Sequence, residues 1–185
     1  VLHARRLVAQ RCIYGVDKNE LAVNLARLSL WLATFAKDHP FTFVDHALRR
    51  GDSLVGLSRE QIVSFSWDVS RGKQVSLVRT ALENAVSEAE TLRAQIHALG
   101  DTYDNAEKER LLREADDALR TVRRVGNVIL EAFFAGKSAK ERDTRLKEYR
   151  ASVEQYGLDR LPATPESDRH RPFHWEIEFP EVFGR

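Results

Sequence analysis

Cysteine is nearly absent from this 185-residue chain: Cys12 stands alone, so no internal disulfide can form. A lone thiol agrees with a reducing compartment, and the expected location is cytoplasmic. Methionine is absent altogether, at position 1 included. The chain therefore reads as starting at an internal point of a longer one, or as following removal of a tag. No apolar run approaches the ~20 residues needed to span a bilayer. The amino terminus, VLHARRLVAQRC, lacks the apolar centre of a signal peptide. No membrane contact is expected. A formal net charge of +1 neither selects nor excludes nucleic acid. His3, His39, His46, His97, His170 and His174 show no metal-ligand spacing, so no metal is expected. Gly51 and Gly56 are spaced as in a phosphate loop, but Leu57-Ser58 stands where that loop needs Lys followed by Ser or Thr.

What is present is organised around Ile13–Ala36, IYGVDKNELAVNLARLSLWLATFA. A short apolar run, Cys12 to Val16, ends on Asp17. Leu21, Leu25, Leu28 and Leu32 then recur at three- and four-residue spacing, which predicts a helix. Strand, acid and helix make half of a βαβ unit, with the acid at the strand's carboxyl end, the edge at which open α/β sheets bind ligands. An acid there can accept hydrogen bonds from both hydroxyls of a ribose. Charge-assisted bonds of about 1.5–3 kcal/mol each would change nucleoside affinity by about two to four powers of ten. The competing reading makes Asp17 the N-cap of the following helix.

Before this stretch, Leu2–Gln10 reads as a short basic helix. After it, Asp38-His39-Pro40 stops the long helix. Phe41–Leu48 is apolar but ambiguous in type. In Arg50-Gly51-Asp52-Ser53-Leu54-Val55-Gly56, two glycines bracket an acid, as suits a loop passing close to a ligand. Gln61–Trp67 reads as a short strand or irregular segment. From Gln74 the pattern changes. Val78, Leu82, Ala85, Ala89, Leu92, Ile96 and Leu99 alternate four- and three-residue steps, a coiled-coil seam that stops at Gly100-Asp101. A second helix is predicted from near Asp104, with Glu107 completing a capping box. Its seam is Leu112, Ala115, Leu119, Val122, Gly126, Ile129 and Phe133. Gly126 implies either close helix approach or a bend. Two such helices joined by a short turn predict an antiparallel hairpin. Ser138 to Glu141 caps a third helix running to Gly157, with Leu146, Tyr149, Val153 and Tyr156 on its apolar face. Leu161–Pro172 is a Pro-rich polar connector. The end, FHWEIEFPEVF, is too aromatic to stay in water and is expected to pack on the sheet, with Glu176, Glu178 and Glu181 alternating as outward-facing strand positions would. Arg113, Arg120 and Arg124 share a helical face that could meet phosphates, but the balanced acids beside them favour an ordinary solvated face.

Three segments together, IYGVDKNELAVNLARLSLWL, VDHALRRGDSLVGL and FHWEIEFPEVF, resemble the adenine-N6 DNA methyltransferases. The resemblance is strongest to the large type IIG restriction–modification enzymes and related phage-defence methyltransferases. It implies a predominantly helical α/β fold: a partial Rossmann-like core carrying a long antiparallel helical-hairpin insertion. On that reading residues 1–73 belong to the cofactor-binding core, 74–160 to the insertion, and 161–185 to a connector and a segment returning to the core. The resemblance implies S-adenosylmethionine as cofactor of the complete protein. Asp17 matches the acid that holds the ribose. Lys18 matches the neighbour flanking the adenine, where the family more usually carries an apolar residue. Asp52 matches the acid near the adenine amino group, with Ser53 beside it. The family's glycine-rich methionine loop and its Asn-Pro-Pro-aromatic tetrapeptide do not occur in these residues. No catalytic residue is therefore assigned, and the chain reads as an interior piece, inactive alone, that meets duplex DNA through the remainder of a methyltransferase. The alternative is a helical protein-interaction module on an α/β remnant.

Overall fold

The computed structural model describes residues 2–35, 43–100 and 105–184. The expected helix stop at Asp38 to Pro40 and the start near Asp104 lie outside them. Helix α1 (Leu2–Arg11) leads into β1 (Gly15–Asp17), α2 (Glu20–Ala33) and β2 (Leu48–Arg50). The two strands pair in parallel, Gly15 with Leu48 and Asp17 with Arg50. Asn19 starts α2: its side chain accepts from the Leu21 amide at 2.9 Å. Val23 of α2 packs with Val44 and Leu48, and Leu30 and Trp31 close this small cluster.

A short helix, α3 (Arg59–Val63), occupies part of the segment expected as strand or irregular. Its cause is a capping box. Ser58 Oγ accepts from the Gln61 amide, and Gln61 Oε1 accepts from the Ser58 amide. Then come α4 (Ser76–Ala98), α5 (Asn105–Ala135) and α6 (Ala139–Tyr156). Seam residues Val78, Leu82, Ala85 and Ala89 of α4 share one buried cluster with Ala115, Leu119, Val122 and Ile129 of α5. Ile96, near the end of α4, packs on Leu111 and Leu112, near the start of α5. Ser138 caps α6, and Gly157 ends it with a φ of 76°, a conformation that favours glycine.

The connector after α6 contains α7 (Pro165–His170), which the reading of an irregular connector did not anticipate. Its Ser167 amide donates to Glu131 of α5 at 2.8 Å. The aromatic end forms two one-turn helices, α8 (Trp175–Glu178) and α9 (Pro180–Phe183), and is no strand. Phe179 is fully buried there and meets the ring of Tyr14, the residue before β1, edge-on at 5.0 Å. Glu178 corrects the outward-facing expectation. Only 3% of it is exposed, because Arg123 of α5 neutralises it. The leucine face of α2 is a second surprise. Leu21, Leu25, Leu28 and Leu32 are 63%, 53%, 46% and 68% exposed, so the stripe that defines this helix in sequence has no cover among the described residues.

Candidate cofactor site

The parallel pairing brings Asp17 and Asp52 to the same edge of the sheet. Asp17 ends β1, and Asp52 follows β2 by two residues. Asp17 is exposed, and its Oδ1 accepts from the Asn19 amide at 2.7 Å. It is therefore a turn acceptor rather than the N-cap, a place taken by Asn19. Lys18 Nζ donates to Asp52 Oδ2 at 3.2 Å, joining the two strand ends across the edge. Asp52 Oδ1 accepts from the Leu54 amide at 3.1 Å. That amide, and then Lys18, hold the Asp52 carboxyl below the usual carboxylate range. Asp17, Lys18 and Asp52 are thus close together, and Ser53 is the next residue along the loop. The Ser53 carbonyl accepts from Trp175 Nε1 at 3.0 Å. A cavity of about 230 Å³ opens beside it, lined among others by Ser53, Leu54, Phe173 and Trp175.

The chemistry of this edge is that of anionic acceptors facing solvent. Asp17 can take hydroxyl or amino donors, while Asp52 is already partly engaged by its own loop and by Lys18. Among the described residues no group of three or more His, Cys, Asp or Glu is placed to hold a metal ion. No helix there is long and apolar enough to cross a membrane.

Sequence reasoning did not find the strap that holds the Asp52 loop. Residues 171–176 lie along residues 51–59. The Asp52 amide donates to the Arg171 carbonyl at 2.8 Å, and the Phe173 amide to the Val55 carbonyl at 2.7 Å. The Arg59 amide donates to Glu176 Oε2 at 2.8 Å. Gly51 and Gly56 are glycines for this reason: a Cβ at Gly51 would come 2.9 Å from the Phe173 ring, and one at Gly56 would run into the Phe173 carbonyl. The density of aromatics at the chain end was the only signal that such a strap exists.

Two histidines are buried in the fold, one of them, His174, against the end of the Asp52 loop. His174 Nδ1 accepts from the Leu57 amide at 3.0 Å, so the ring proton sits on Nε2 and faces Asn127 Oδ1 at 3.1 Å. His46 Nε2 lies 2.9 Å from the Gln10 carbonyl. Burial is the main force lowering both, His46 to about 3 and His174 to about 4, with the neighbouring His97 adding to it at His46. A pKa depressed on folding makes the neutral ring the stabilised form. Its contribution is complete above the unfolded value of about 6.5 and is lost as pH falls toward the folded value. The urea midpoint of the chain should therefore drop steadily between about pH 6.5 and pH 5, by on the order of a few kcal/mol in stability. The lowered carboxylates act only below this window. A flat profile from pH 7.5 to pH 5 would contradict the buried neutral rings.

Residues 11–185 match the family model described as Eco57I restriction-modification methylase. A protein of Methanocaldococcus jannaschii, described as "Putative type II restriction enzyme and methyltransferase", is 23% identical over 205 residues, covering 90% of this chain. The chain spans 16% of that relative's length. No solved structure matches significantly. With its paired strand ends, open acidic edge and near-complete match to the model, the chain belongs to the Eco57I restriction-modification methylase family.

Proposed function

We propose that this chain is part of the cofactor-binding core of an S-adenosylmethionine-dependent DNA adenine-N6 methyltransferase, with α4 to α6 as a helical insertion in a Rossmann-like fold. The observation that carries the reading is the pair of carboxylates, Asp17 and Asp52, at the carboxyl ends of adjacent parallel strands. The donor chemistry fits. Asp17 is exposed with one oxygen not engaged by its own turn, as an acceptor for ribose hydroxyls requires. Asp52 is held in place by Leu54 and Lys18, beside which an adenine amino group would sit. Lys18 and Ser53 line the same edge. When bound, the cofactor supplies the methyl group; these residues hold and orient its adenosyl part.

The uncovered leucine face of α2 supports a larger core, since a wider sheet or a further helix would bury it. The relative's greater length agrees. The partners proposed are duplex DNA and the remainder of a longer methylase chain. Adenine chemistry requires the base to be taken out of the duplex into a pocket. The tetrapeptide that grips such a base is not in this sequence. The expected result is that a full-length methylase carrying this chain transfers radiolabelled methyl groups to adenine in duplex DNA, while the 185 residues alone give the no-protein background. Transfer by the 185 residues alone, or transfer to cytosine by the full-length protein, would overturn the reading.

A further inference from the structure

The His174 ring is entirely buried and bridges two parts of the molecule. One nitrogen accepts from the Leu57 amide, at the end of the loop that begins with Asp52. The other faces the Asn127 side chain on α5. Gly126, the glycine on the α5 seam, makes room for this contact: a Cβ there would lie 2.5 Å from His174 Cε1. The atoms nearest to a Cβ at this glycine all belong to the His174 imidazole. The Asp52 loop is thus tied to β2 at one end and to α5 at the other. Between these ties the 171–176 strap fixes it through the Arg171 carbonyl, the Val55 carbonyl and Trp175 Nε1. Arg171 itself sits in the left-handed region, at a φ of 52°, to present its carbonyl to the Asp52 amide. A displacement of α5 relative to the sheet must either carry Leu57 with it or break one of the two hydrogen bonds in the relay Asn127–His174–Leu57.

We propose that His174 is a positioning residue through which α5 sets the geometry of the Asp52 loop, so that the docking of the long helices controls affinity for the adenosyl group. This rests on the reading of Asp52 as a cofactor contact. It assigns the helices a regulatory role at that site: whatever shifts α5 tunes cofactor binding without touching the cofactor.

The test uses the full-length protein, with S-adenosylhomocysteine as the titrated probe and amide exchange of Leu57 read in parallel. His174→Ala removes the acceptor and is expected to weaken binding about tenfold, the scale of one buried amide left unpaired. His174→Asn keeps an oxygen where Nδ1 lies and should restore binding to within about twofold. Gly126→Ala pushes the ring from its place and should resemble His174→Ala. Asn127→Ala, a milder change on the α5 side, should fall between His174→Asn and His174→Ala. Leu57 exchange should follow the same order while amides inside α4 keep their rates; a general loss of stability would accelerate both together. If His174→Ala leaves both exchange and affinity unchanged, the proposal is overturned. If exchange accelerates while affinity stays and Asp17→Ala abolishes binding, the coupling falls and the site reading survives. If Asp17→Ala also binds normally, the cofactor reading fails and takes the proposal with it.

Discussion

Asp17→Ala in the full-length methylase is expected to weaken S-adenosylmethionine binding by about two to four powers of ten. On the proposed reading the physical basis would be two charge-assisted hydrogen bonds from ribose hydroxyls to one carboxylate, about 3–6 kcal/mol as an upper range. The structure removes the main competing account of this residue. Asn19 caps α2, so the helix keeps its cap when Asp17 is lost. What disappears locally is a single turn bond to the exposed Asn19 amide. On the proposed reading Asp52→Ala should cost less, about 1.5–3 kcal/mol, because Asp52 would meet one neutral amino group. Part of its carboxylate also serves Leu54 and Lys18. DNA affinity should change little in either variant, since phosphate contacts come from basic and polar groups. Calorimetric titration of the two variants decides the order. If Asp17→Ala binds like the unmutated protein, Asp17 is a turn acceptor only and the functional reading falls.

Much of this site was legible because it is built from local order. A strand, an acid and a leucine-patterned helix are contiguous, so Asp17 could be placed at the strand's carboxyl end from spacing; Asp52, bracketed by glycines, read only as part of a loop close to a ligand, and its pairing with Asp17 came from the family resemblance. The long helices were legible for a similar reason: heptad seams extend over many turns, and their residues are the ones found buried together. Short elements escaped. A five-residue helix such as α3 carries no readable period, and its one local signal was Ser58 with Gln61 three residues on. The alternation in FHWEIEFPEVF imitated a strand, yet Pro180 opens a helical turn there and Phe179 turns inward. Contacts between distant residues were not legible at all. Gly126 is explained by a histidine more than forty positions later, and Gly56 by the Phe173 carbonyl. Arg93, fully buried, pairs with Glu181, 88 positions away, and nothing in the α4 seam announces it. The leucine stripe of α2 taught the reverse lesson: a periodic apolar face reports that a surface is made to be covered, not that it is covered by neighbours in this chain.

Glu178→Ala is expected to be the most destabilising single change outside the apolar core. Glu178 lies on α8, two residues beyond the strap that holds the Asp52 loop, and is almost wholly buried. Burial pushes its carboxyl up, but Arg123 outweighs this and, with Arg49 behind it, draws the carboxyl below the ordinary range. The pairing is bidentate: Arg123 Nη2 donates to Oε2 at 2.9 Å, and Nε donates to Oε1. Arg49 Nη2 of β2 stands 4.0 Å from the same carboxylate, so three elements converge on one charge. Truncating a buried carboxylate leaves its partner's charge uncompensated, a loss of about 3–5 kcal/mol where both are buried, and 27% of the Arg123 side chain stays exposed, which softens it. Asp116 lies 3.8 Å from Arg123 and 2.6 Å from Arg49, and its shared charge places the expected value near the lower end. For a chain of this size that is a fall in melting temperature of about 6–12 °C. Replacing both partners, Arg123→Met with Glu178→Leu, should recover most of the loss, because the cost lies in the unpaired charge more than in the missing bond. Thermal unfolding of the single and double variants separates these contributions. A loss below about 1 kcal/mol in Glu178→Ala would mean that the ion pair sits in a wetter place than its burial indicates, and that α8 is held by its aromatic neighbours alone.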